Sequence, residues 1–462
     1  MKQTFTVVSP IDGQALYTKN YADKAGIDAA IAAAKSAQGG WNNTPLAERK
    51  RLIGAAIDWL VAHQDDVAHT ITQSMGRPIS QSPGEVRGLE ERARHMLAIA
   101  EEALADVVPA EKAGFKRFLR HEPVGTVLVV APWNYPFLTA VNSIVPALAA
   151  GNVVLLKHSS QTPAVAEWFQ AAFDAAGLPA GVFQHLHLSH QDTDALLRSE
   201  AVDFVAFTGS VSGGHQVQAA LSQRFIGAGL ELGGKDPAYV RADADVAVAA
   251  ENLVDGAFFN SGQSCCGIER IYVDAAVYDD FVAAFVGHTR QYRLGNPSEA
   301  NTNLGPLVKV SAADFVRGQI AEAVQQGAKA LIDEADFPLS QAGTPYLAPQ
   351  VLVGVDHTMR VMTEESFGPV VGIMKVEGDA EAVRLMNDSD YGLTASIWTQ
   401  DETAAARLAA EIETGTVFMN RCDYLDPALA WTGVKDTGHG ISLSSLGYAQ
   451  LTRVKSYHFR IA

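Results

Sequence analysis

Two adjacent cysteines stand in residues 260–267, which read Asn-Ser-Gly-Gln-Ser-Cys-Cys-Gly. Small, turn-forming residues surround them, and this predicts an accessible thiol, because structural cysteines usually lie in apolar runs. An accessible thiolate is a nucleophile for covalent catalysis. A buried cysteine that serves as a small apolar residue is the alternative interpretation. Adjacency alone does not choose between Cys265 and Cys266.

A carboxylate lies upstream in Leu-Glu-Leu-Gly-Gly-Lys at residues 230–235. Burial between two leucines would raise the pKa of Glu231 toward neutral pH, which suits a general base. Taken alone, a paired structural charge is an equally good interpretation. A thiol together with a nearby base, however, is the pattern of covalent catalysis followed by hydrolysis.

Two further segments each join a predicted strand to a helix. In Pro-Trp-Asn-Tyr-Pro at residues 132–136, the Asn134 amide could donate to a developing oxyanion, although asparagine more often caps a helix there. In Thr-Gly-Ser-Val-Ser-Gly-Gly at residues 208–214, Gly209 and Ser210 could contact a phosphate. The full dinucleotide fingerprint is missing, so a plain turn stays open.

The elements that position these residues follow from the hydrophobic pattern. Apolar residues recur at helical spacing in 45–63, 65–75 and 84–104. From about residue 115 onward, β-rich runs alternate with helices, and strands are predicted at 125–131, 153–157, 182–188, 204–208 and 226–232. This alternation predicts a doubly wound parallel sheet, which binds ligands beyond the carboxyl ends of its strands.

A second alternating block runs from residue 236 to about 421, with strands predicted at 271–273, 330–332, 371–376, 396–399 and 415–419. It predicts a second α/β domain. Residues 230–267 then lie between two domains, a common location for ligand sites. The alternating segment 451–459 has no evident partner, so we expect it to pair with a strand of a neighbouring subunit.

Composition and charge exclude several classes of protein. The 462 residues carry a net charge of -17 and no Lys/Arg cluster, which argues against a nucleic-acid partner. No apolar run is long enough to span a bilayer and no signal-peptide pattern is present, so we expect a cytoplasmic protein without a membrane partner. Three cysteines suit a reducing compartment. His185, His187 and His190 invite a metal interpretation, but no cysteine or carboxylate joins them at ligand spacing, so no metal site is predicted.

In this order, these segments resemble the aldehyde dehydrogenase superfamily over essentially the whole chain. The motifs that carry the resemblance are residues 9–13, 132–134, 230–235, 260–265, 364–369 and 433–435. In the family the nucleophile is the second residue after the glutamine of Gly-Gln, which selects Cys265. The resemblance implies oxidation of an aldehyde to a carboxylic acid through a thioester on Cys265, with an oxyanion bound by Asn134 and a hydrolytic water activated by Glu231.

The same resemblance implies a Rossmann-like cofactor domain at residues 1–108 and 125–233, an α/β catalytic domain at 234–430 and a small β oligomerisation element at 109–124 and 445–462. It therefore implies a homodimer or homotetramer. NAD or NADP is the expected cofactor. The residues expected beside it are Trp133, Lys157, Ser160, Gly209, Ser210, Glu365 and Phe367.

Ser160 departs from many NAD-specific members, which carry a glutamate at this position. Serine removes a negative charge that would repel a 2′-phosphate, so we expect NADP to be used at least comparably with NAD. Residues 438–442, Gly-His-Gly-Ile-Ser, also replace the usual Gly-x-Gly-Arg-Glu, at the expected loss of a structural ion pair.

The family position of the aldehyde pocket implies a lining of Tyr135, Thr139, Asn142, Ser264, Cys266, Asp423, Leu425 and Trp431. Arg421 could anchor a carboxylate-bearing aldehyde such as succinate semialdehyde, but an ion pair with Asp423 or another acid is as good an interpretation. The predicted substrate is thus a small to medium aldehyde or semialdehyde. A catalytically idle family member is the competing hypothesis, against which the intact Cys265, Glu231 and Asn134 argue, and a cofactor-independent esterase is a third.

Overall fold

The computed structural model describes residues 3–461, in which helices and strands alternate over most of the length. The helices are α1 (Lys24–Asn43), α2 (Leu46–Ala62), α3 (Gln64–Met75), α4 (Pro83–Ala103), α5 (Pro136–Ala149), α6 (Pro163–Ala175), α7 (His190–Arg198), α8 (Val211–Leu221), α9 (Val246–Phe258), α10 (Tyr278–Thr289), α11 (Val310–Gln325), α12 (Arg360–Thr363), α13 (Asp379–Asn387), α14 (Glu402–Ala409) and α15 (Leu446–Ala449). None of these helices combines the length and apolar character that crossing a membrane requires.

The strands are numbered separately in chain order. They are β1 (Thr4–Val8), β2 (Ala15–Asn20), β3 (Phe115–Pro123), β4 (Thr126–Ala131), β5 (Val153–His158), β6 (Phe183–His185), β7 (Phe204–Thr208), β8 (Gly227–Glu231), β9 (Asp236–Val240), β10 (Ile268–Asp274), β11 (Lys329–Ala330), β12 (Gln350–Val353), β13 (Val370–Val376), β14 (Tyr391–Gly392), β15 (Thr394–Trp398), β16 (Thr416–Met419), β17 (Val434–Lys435), β18 (Gly438–His439) and β19 (Thr452–Arg460).

The first large sheet has six strands in the order β18-β8-β7-β4-β5-β6, and all neighbours except β18 and β8 are parallel. Every residue of β4 and β5 is buried, because helices cover both faces of the sheet. Alternate residues of β4 enter different cores: Val127 and Val129 pack toward α2–α6, while Leu128 and Val130 pack toward α1, α7 and α8. The predicted doubly wound α/β fold is confirmed.

The second large sheet has seven strands in the order β11-β12-β13-β10-β9-β15-β16, parallel except for β11. Helices α9 and α10 pack against it around a core that includes Phe258, Phe281 and Phe285. The last residue of β8 is Glu231, and residues 232–235 lead directly into β9, an inner strand of this sheet between β10 and β15. The chain therefore passes from one sheet to the other beside the predicted base. The assignment of the two sheets to cofactor-binding and catalytic domains stays a prediction.

Three predicted strands differ from the structure. The strand predicted at 182–188 is only Phe183–His185, and the one at 330–332 is the exposed pair Lys329–Ala330. The strand predicted at 451–459 is β19, and its partner β3 lies in the same chain. At the edge of β19 that contacts β3, the expected pairing with a neighbouring subunit is therefore wrong. β19 pairs antiparallel with β3, from Thr452 opposite Pro123 to Arg460 opposite Phe115. The partner was missed because β3 alternates charged and aromatic residues rather than polar and buried apolar ones.

Candidate active site

The segment before the two cysteines turns sharply after helix α9. Asn260, Ser261 and Gly262 all adopt left-handed backbone conformations, with φ of 52°, 57° and 72°. Only asparagine, aspartate and glycine adopt this region readily, so two of the three residues suit the turn. A Cβ atom on Gly262 would lie 2.3 Å from the Gly368 carbonyl oxygen, which excludes any larger residue there. The turn carries the chain to Cys265, immediately before β10.

A buried arginine fixes this turn. The Arg77 guanidinium pairs with Glu85 at 2.8 Å, donates to Asn260 Oδ1 at 3.0 Å and donates to the main-chain oxygen of Asn134. Asn260 in turn donates from Nδ2 to the Gln263 carbonyl oxygen at 3.1 Å. Arg77 is not among the site residues that the sequence predicts.

The Asn134 side chain lies against the same segment. Its amide donates to the Gln263 carbonyl oxygen at 3.1 Å, two residues before Cys265. Helix α5 begins after Tyr135 without a side-chain cap, because Glu85 accepts hydrogen bonds from the main-chain nitrogens of Phe137 and Leu138 instead. The alternative that Asn134 caps the helix is therefore wrong.

The two adjacent thiols lie in different surroundings. Cys265 is half-buried and faces a cavity, whereas Cys266 is buried and donates from Sγ to Asp423 Oδ1 at 2.9 Å. The adjacent Cys265 thiol and burial raise the pKa of Cys266 well above its ordinary value. The raised pKa favours the neutral thiol of Cys266, and Cys265 is the more exposed of the two cysteines that line the cavity.

Glu231 reaches the same cavity from the end of β8. Ser442 Oγ donates to Glu231 Oε1 at 2.5 Å, and Thr208 Oγ1 donates to Oε2 at 3.3 Å. Burial of the carboxyl group raises the pKa of Glu231, and these two hydrogen bonds oppose that rise. Within residues 3–461 no cation forms an ion pair with Glu231, so the structural-pair alternative is wrong.

Ser442 was not predicted as a site residue. The departure at residues 438–442 was interpreted only as the loss of an ion pair, but its serine hydroxyl bonds the predicted base directly. Strand β18 explains the contact, because Gly438 pairs with Glu231 on β8 and so brings the following residues beside it.

One cavity of about 360 Å³ brings most of these residues together. Besides Cys265 and Glu231, it is lined by the eight residues expected around the aldehyde, which are Tyr135, Thr139, Asn142, Ser264, Cys266, Asp423, Leu425 and Trp431. Arg421 is exposed, lies outside this lining and stacks its guanidinium 3.6 Å from the centre of the Tyr424 ring. The alternative interpretation, an ion pair of Arg421 with Asp423 or another acid, is wrong within residues 3–461, where the Arg421 guanidinium stacks on Tyr424 instead.

The residues expected to hold a cofactor lie outside this cavity lining. Lys157, at the end of β5, is 9% exposed and forms no ion pair with any described acid. Ser160 is exposed just beyond it. Ser210 Oγ caps α8 by accepting from the Gly213 nitrogen at 3.2 Å, and Gly209 precedes it. The buried Lys157 ammonium has no acidic partner, and the turn at Ser210 leads into the N-terminus of a helix. Both features suit the binding of an anionic dinucleotide.

A second group surrounds Glu365. Burial and the nearby Glu269 raise the pKa of Glu365 to about 7, and its Oε1 accepts from the Gly234 nitrogen at 3.0 Å. A Cβ atom on Gly233 would lie 2.7 Å from Glu365 Oε2, so the glycine leaves room for this carboxyl. The Trp133 and Phe367 rings pack edge to face with centroids 5.6 Å apart. These features fit a ribose and a flat ring, although the cofactor role of these residues stays a prediction.

The histidine pair has a carboxylate neighbour after all. Glu167, on α6, accepts from His187 Nε2 at 3.1 Å, and possible ligand atoms of Glu167, His185 and His187 lie within 4.8 Å of one another. The statement that no carboxylate joins these histidines is therefore wrong, because sequence spacing does not show helix-to-strand contacts. Lys19, on strand β2, forms an ion pair with Glu167 at 2.7 Å. The Glu167 carboxylate therefore also links helix α6 to strand β2.

Known proteins resemble this chain over its whole length. The model of the aldehyde dehydrogenase family matches residues 1–457. A succinate-semialdehyde dehydrogenase [NADP(+)] 1 of Mycobacterium tuberculosis is 35% identical over 451 residues, which cover 97% of this chain and 98% of the relative. An aldehyde dehydrogenase of Paenarthrobacter nicotinovorans is 35% identical over 452 residues, with 97% and 98% covered.

Solved structures agree with this likeness. The NADP-dependent glyceraldehyde-3-phosphate dehydrogenase from Bacillus halodurans, complexed with NADP, superposes with a TM-score of 0.94 at 31% identity and covers 100% of this chain and 96% of its own. The NAD-dependent aldehyde dehydrogenase from Sinorhizobium meliloti superposes with a TM-score of 0.95 at 30% identity, with 99% and 92% covered.

Proposed function

The chain belongs to the aldehyde dehydrogenase family, and on that basis we propose that it oxidises an aldehyde to a carboxylic acid through a thioester on Cys265. The observation that carries this proposal is one cavity lined by an accessible thiol and by a buried carboxylate that has no cationic partner among residues 3–461. A semialdehyde is the favoured kind of substrate, since relatives at 35% identity are named for succinate semialdehyde.

In the first half of the reaction, the Cys265 thiolate forms a bond to the aldehyde carbon. The carbonyl oxygen becomes an oxyanion, to which the Cys265 main-chain NH and the Asn134 amide donate. Loss of one such donor costs about 3 kcal/mol in comparable sites. Arg77 positions both donors, because its guanidinium binds the Asn134 carbonyl and, through Asn260, the segment that leads to Cys265. The oxyanion then re-forms the carbonyl as the carbon–hydrogen bond breaks, so that hydride leaves and a thioester on Cys265 remains. NAD or NADP, if held by the residues expected beside it, would supply the acceptor for that hydride.

The second half is hydrolysis of the resulting thioester. Glu231, once ionised, takes a proton from water, the hydroxyl oxygen bonds to the acyl carbon, and the carbon–sulfur bond breaks to release the acid and the Cys265 thiolate. Ser442 and Thr208 hold the Glu231 carboxylate in place and keep its pKa from rising further. Glu231 could also deprotonate Cys265 before the first step.

The proposal also covers cofactor, assembly and location. The solved relatives include NADP-dependent and NAD-dependent enzymes, which supports the use of either cofactor here. The β3–β19 ribbon exposes Val454 and Phe459, which supports a homodimer or homotetramer. The three cysteines are free thiols, which supports a cytoplasmic location.

The thioester is tested by separating acylation from hydrolysis. In Glu231→Gln we expect the steady-state rate to fall about 100-fold or more, because a general base contributes roughly 10²–10⁴. The variant should still release up to one NAD(P)H per site in a rapid-mixing burst and carry an acyl mass on Cys265.

The controls for this test use the other thiols. Cys265→Ala should show neither burst nor turnover, while Cys422→Ser should retain both, because the Cys422 sulfur is not part of the cavity lining and contacts the Asn252 carbonyl oxygen instead. Turnover by Cys265→Ala would contradict the proposal. Absence of wild-type activity on a broad aldehyde panel with both cofactors would favour the idle family member, and product without cofactor would favour the esterase.

The contact between Ser442 and Glu231 predicts a shift in the pH profile. A base must be ionised, so activity falls as the pH falls through the pKa of Glu231. Because Ser442 donates to the ionised form, Ser442→Ala should raise that pKa and move the acidic limb of the kcat profile up by about one pH unit. Thr432→Val, which removes a hydroxyl bonded to Gly440 in the same region, should leave the limb in place. A limb that stays unmoved in Ser442→Ala would show that Glu231 does not limit turnover there.

Position 160 predicts a change in cofactor preference. Wild type should use NADP at least comparably with NAD, and Ser160→Glu should lower the NADP-to-NAD ratio of kcat/KM by about tenfold or more, through repulsion of the 2′-phosphate. The control is Ser160→Gln, because glutamine has the size of glutamate without its charge. It separates the effect of the negative charge on the NADP-to-NAD ratio from the effect of side-chain size. A large wild-type preference for NAD, or equal effects of the two substitutions, would contradict this assignment.

A further inference from the structure

Arg92 is a buried cation without an anionic partner. Its side chain projects from α4 into the cavity that holds Cys265 and is 8% exposed. Nη1 donates to the Leu138 carbonyl oxygen at 2.9 Å and to Asn142 Oδ1 at 3.3 Å. Among residues 3–461, no carboxylate lies within ion-pair distance of it. Burying a guanidinium without an anion is unfavourable, so this arrangement indicates a ligand that supplies one.

The acids that line the cavity are already engaged elsewhere. Glu85 pairs with Arg77 through one oxygen and accepts two main-chain NH groups with the other. Glu231 accepts from Ser442 and Thr208, and Glu91 accepts from the Tyr424 hydroxyl at 2.7 Å. Asp423 accepts from Cys266, and burial raises the pKa of Asp423 to about 7. Glu85, Glu231 and Glu91 act on the Arg92 charge only from a distance, and none of them forms an ion pair with it.

Two further donors in the cavity are unused. Because Asn142 turns Oδ1 toward Arg92, its Nδ2 is left buried without a hydrogen-bond partner in the part of the chain that the structure describes. The Tyr135 hydroxyl is likewise buried and forms no hydrogen bond of full geometry there, although the Ser264 side chain lies within reach of it. Both residues line the cavity beside Arg92. A native site that leaves several buried donors unpaired at one cavity is expected to satisfy them with a ligand.

We propose that the aldehydes oxidised here carry a terminal carboxylate, which Arg92 binds together with the Asn142 amide and the Tyr135 hydroxyl. This inference rests on the proposed function and names its substrate class and specificity-determining residue. A guanidinium in a desolvated site binds a carboxylate by charge-assisted hydrogen bonds, which are about twice as strong as neutral ones. Arg92 thereby takes the anchoring role that the sequence had offered to Arg421, which lies outside the cavity lining.

The test compares ω-oxo acids of three to six carbons with the n-alkanals of equal length and with the methyl esters of the acids. For the best chain length, wild-type kcat/KM should be at least about tenfold higher for the acid than for the alkanal or ester. Arg92→Gln should remove most of this difference, chiefly through a higher KM for the acid, so that the ratio of kcat/KM for acid and alkanal falls toward one. The control is Arg94→Gln, since Arg94 is exposed on the same helix and pairs with Asp58 and Glu90. This variant should leave kcat/KM unchanged for both the acid and the alkanal.

The outcomes separate this inference from the proposed function. If wild type oxidises esters or alkanals as efficiently as every acid, the carboxylate site is contradicted while aldehyde oxidation stands, and this comparison needs no variant to fold. If Arg92→Gln folds and keeps the full preference for acids, Arg92 is not the anchor. If wild type oxidises no aldehyde with either cofactor, the proposed function fails and this inference fails with it.

Discussion

The buried ion pair between Arg77 and Glu85 is the interaction on which the site depends most. Both side chains are almost fully enclosed, and such a pair is stable only when its remaining donors and acceptors are also satisfied. They are: Arg77 binds Asn260 and the Asn134 carbonyl, and Glu85 accepts the first main-chain NH groups of α5. The Arg77–Glu85 pair thus joins the turn before Cys265 to the turn that carries Asn134.

A second buried pair supports the turn at Ser366 and Phe367. Lys235 pairs with Glu269, whose carboxylate accepts the main-chain NH groups of Ser366 and Phe367. Phe367 has a φ of 51°, so this turn, like the one at Asn260, holds a backbone conformation that needs support from its surroundings. Both turns therefore rely on an ion pair for their shape. The same low-polarity surroundings raise the pKa values of Glu231 and Glu365, which links the rigidity of the site to its proton chemistry.

The sequence predicts what local pattern controls. Helices 46–62, 64–75 and 83–103 and the strands around 126–131 and 204–208 follow from apolar periodicity, and the order of motifs identifies Cys265, Glu231 and Asn134 as the residues to examine. Arg77, Arg92 and Ser442 were missed because their partners lie far away in sequence: Arg77 meets Asn260 across 183 residues, and Ser442 meets Glu231 across 211. No spacing rule reports such contacts. The Glu167 neighbour of the histidines was missed for the same reason.

One guanidinium fixes both the segment that leads to Cys265 and the turn that carries Asn134, and kcat of Arg77→Lys measures what that contributes to the proposed reaction. Lysine keeps a positive charge beside Glu85 but has no fork with which to reach both Asn260 and Asn134. We predict that kcat falls about 100-fold, as expected for a misplacement of roughly 1 Å, while dinucleotide affinity stays within about threefold. Arg49→Lys, at a buried arginine on α2, controls for general destabilisation. A folded Arg77→Lys enzyme with kcat within threefold of wild type would show that the Arg77 guanidinium does not position Cys265 and Asn134 for the reaction.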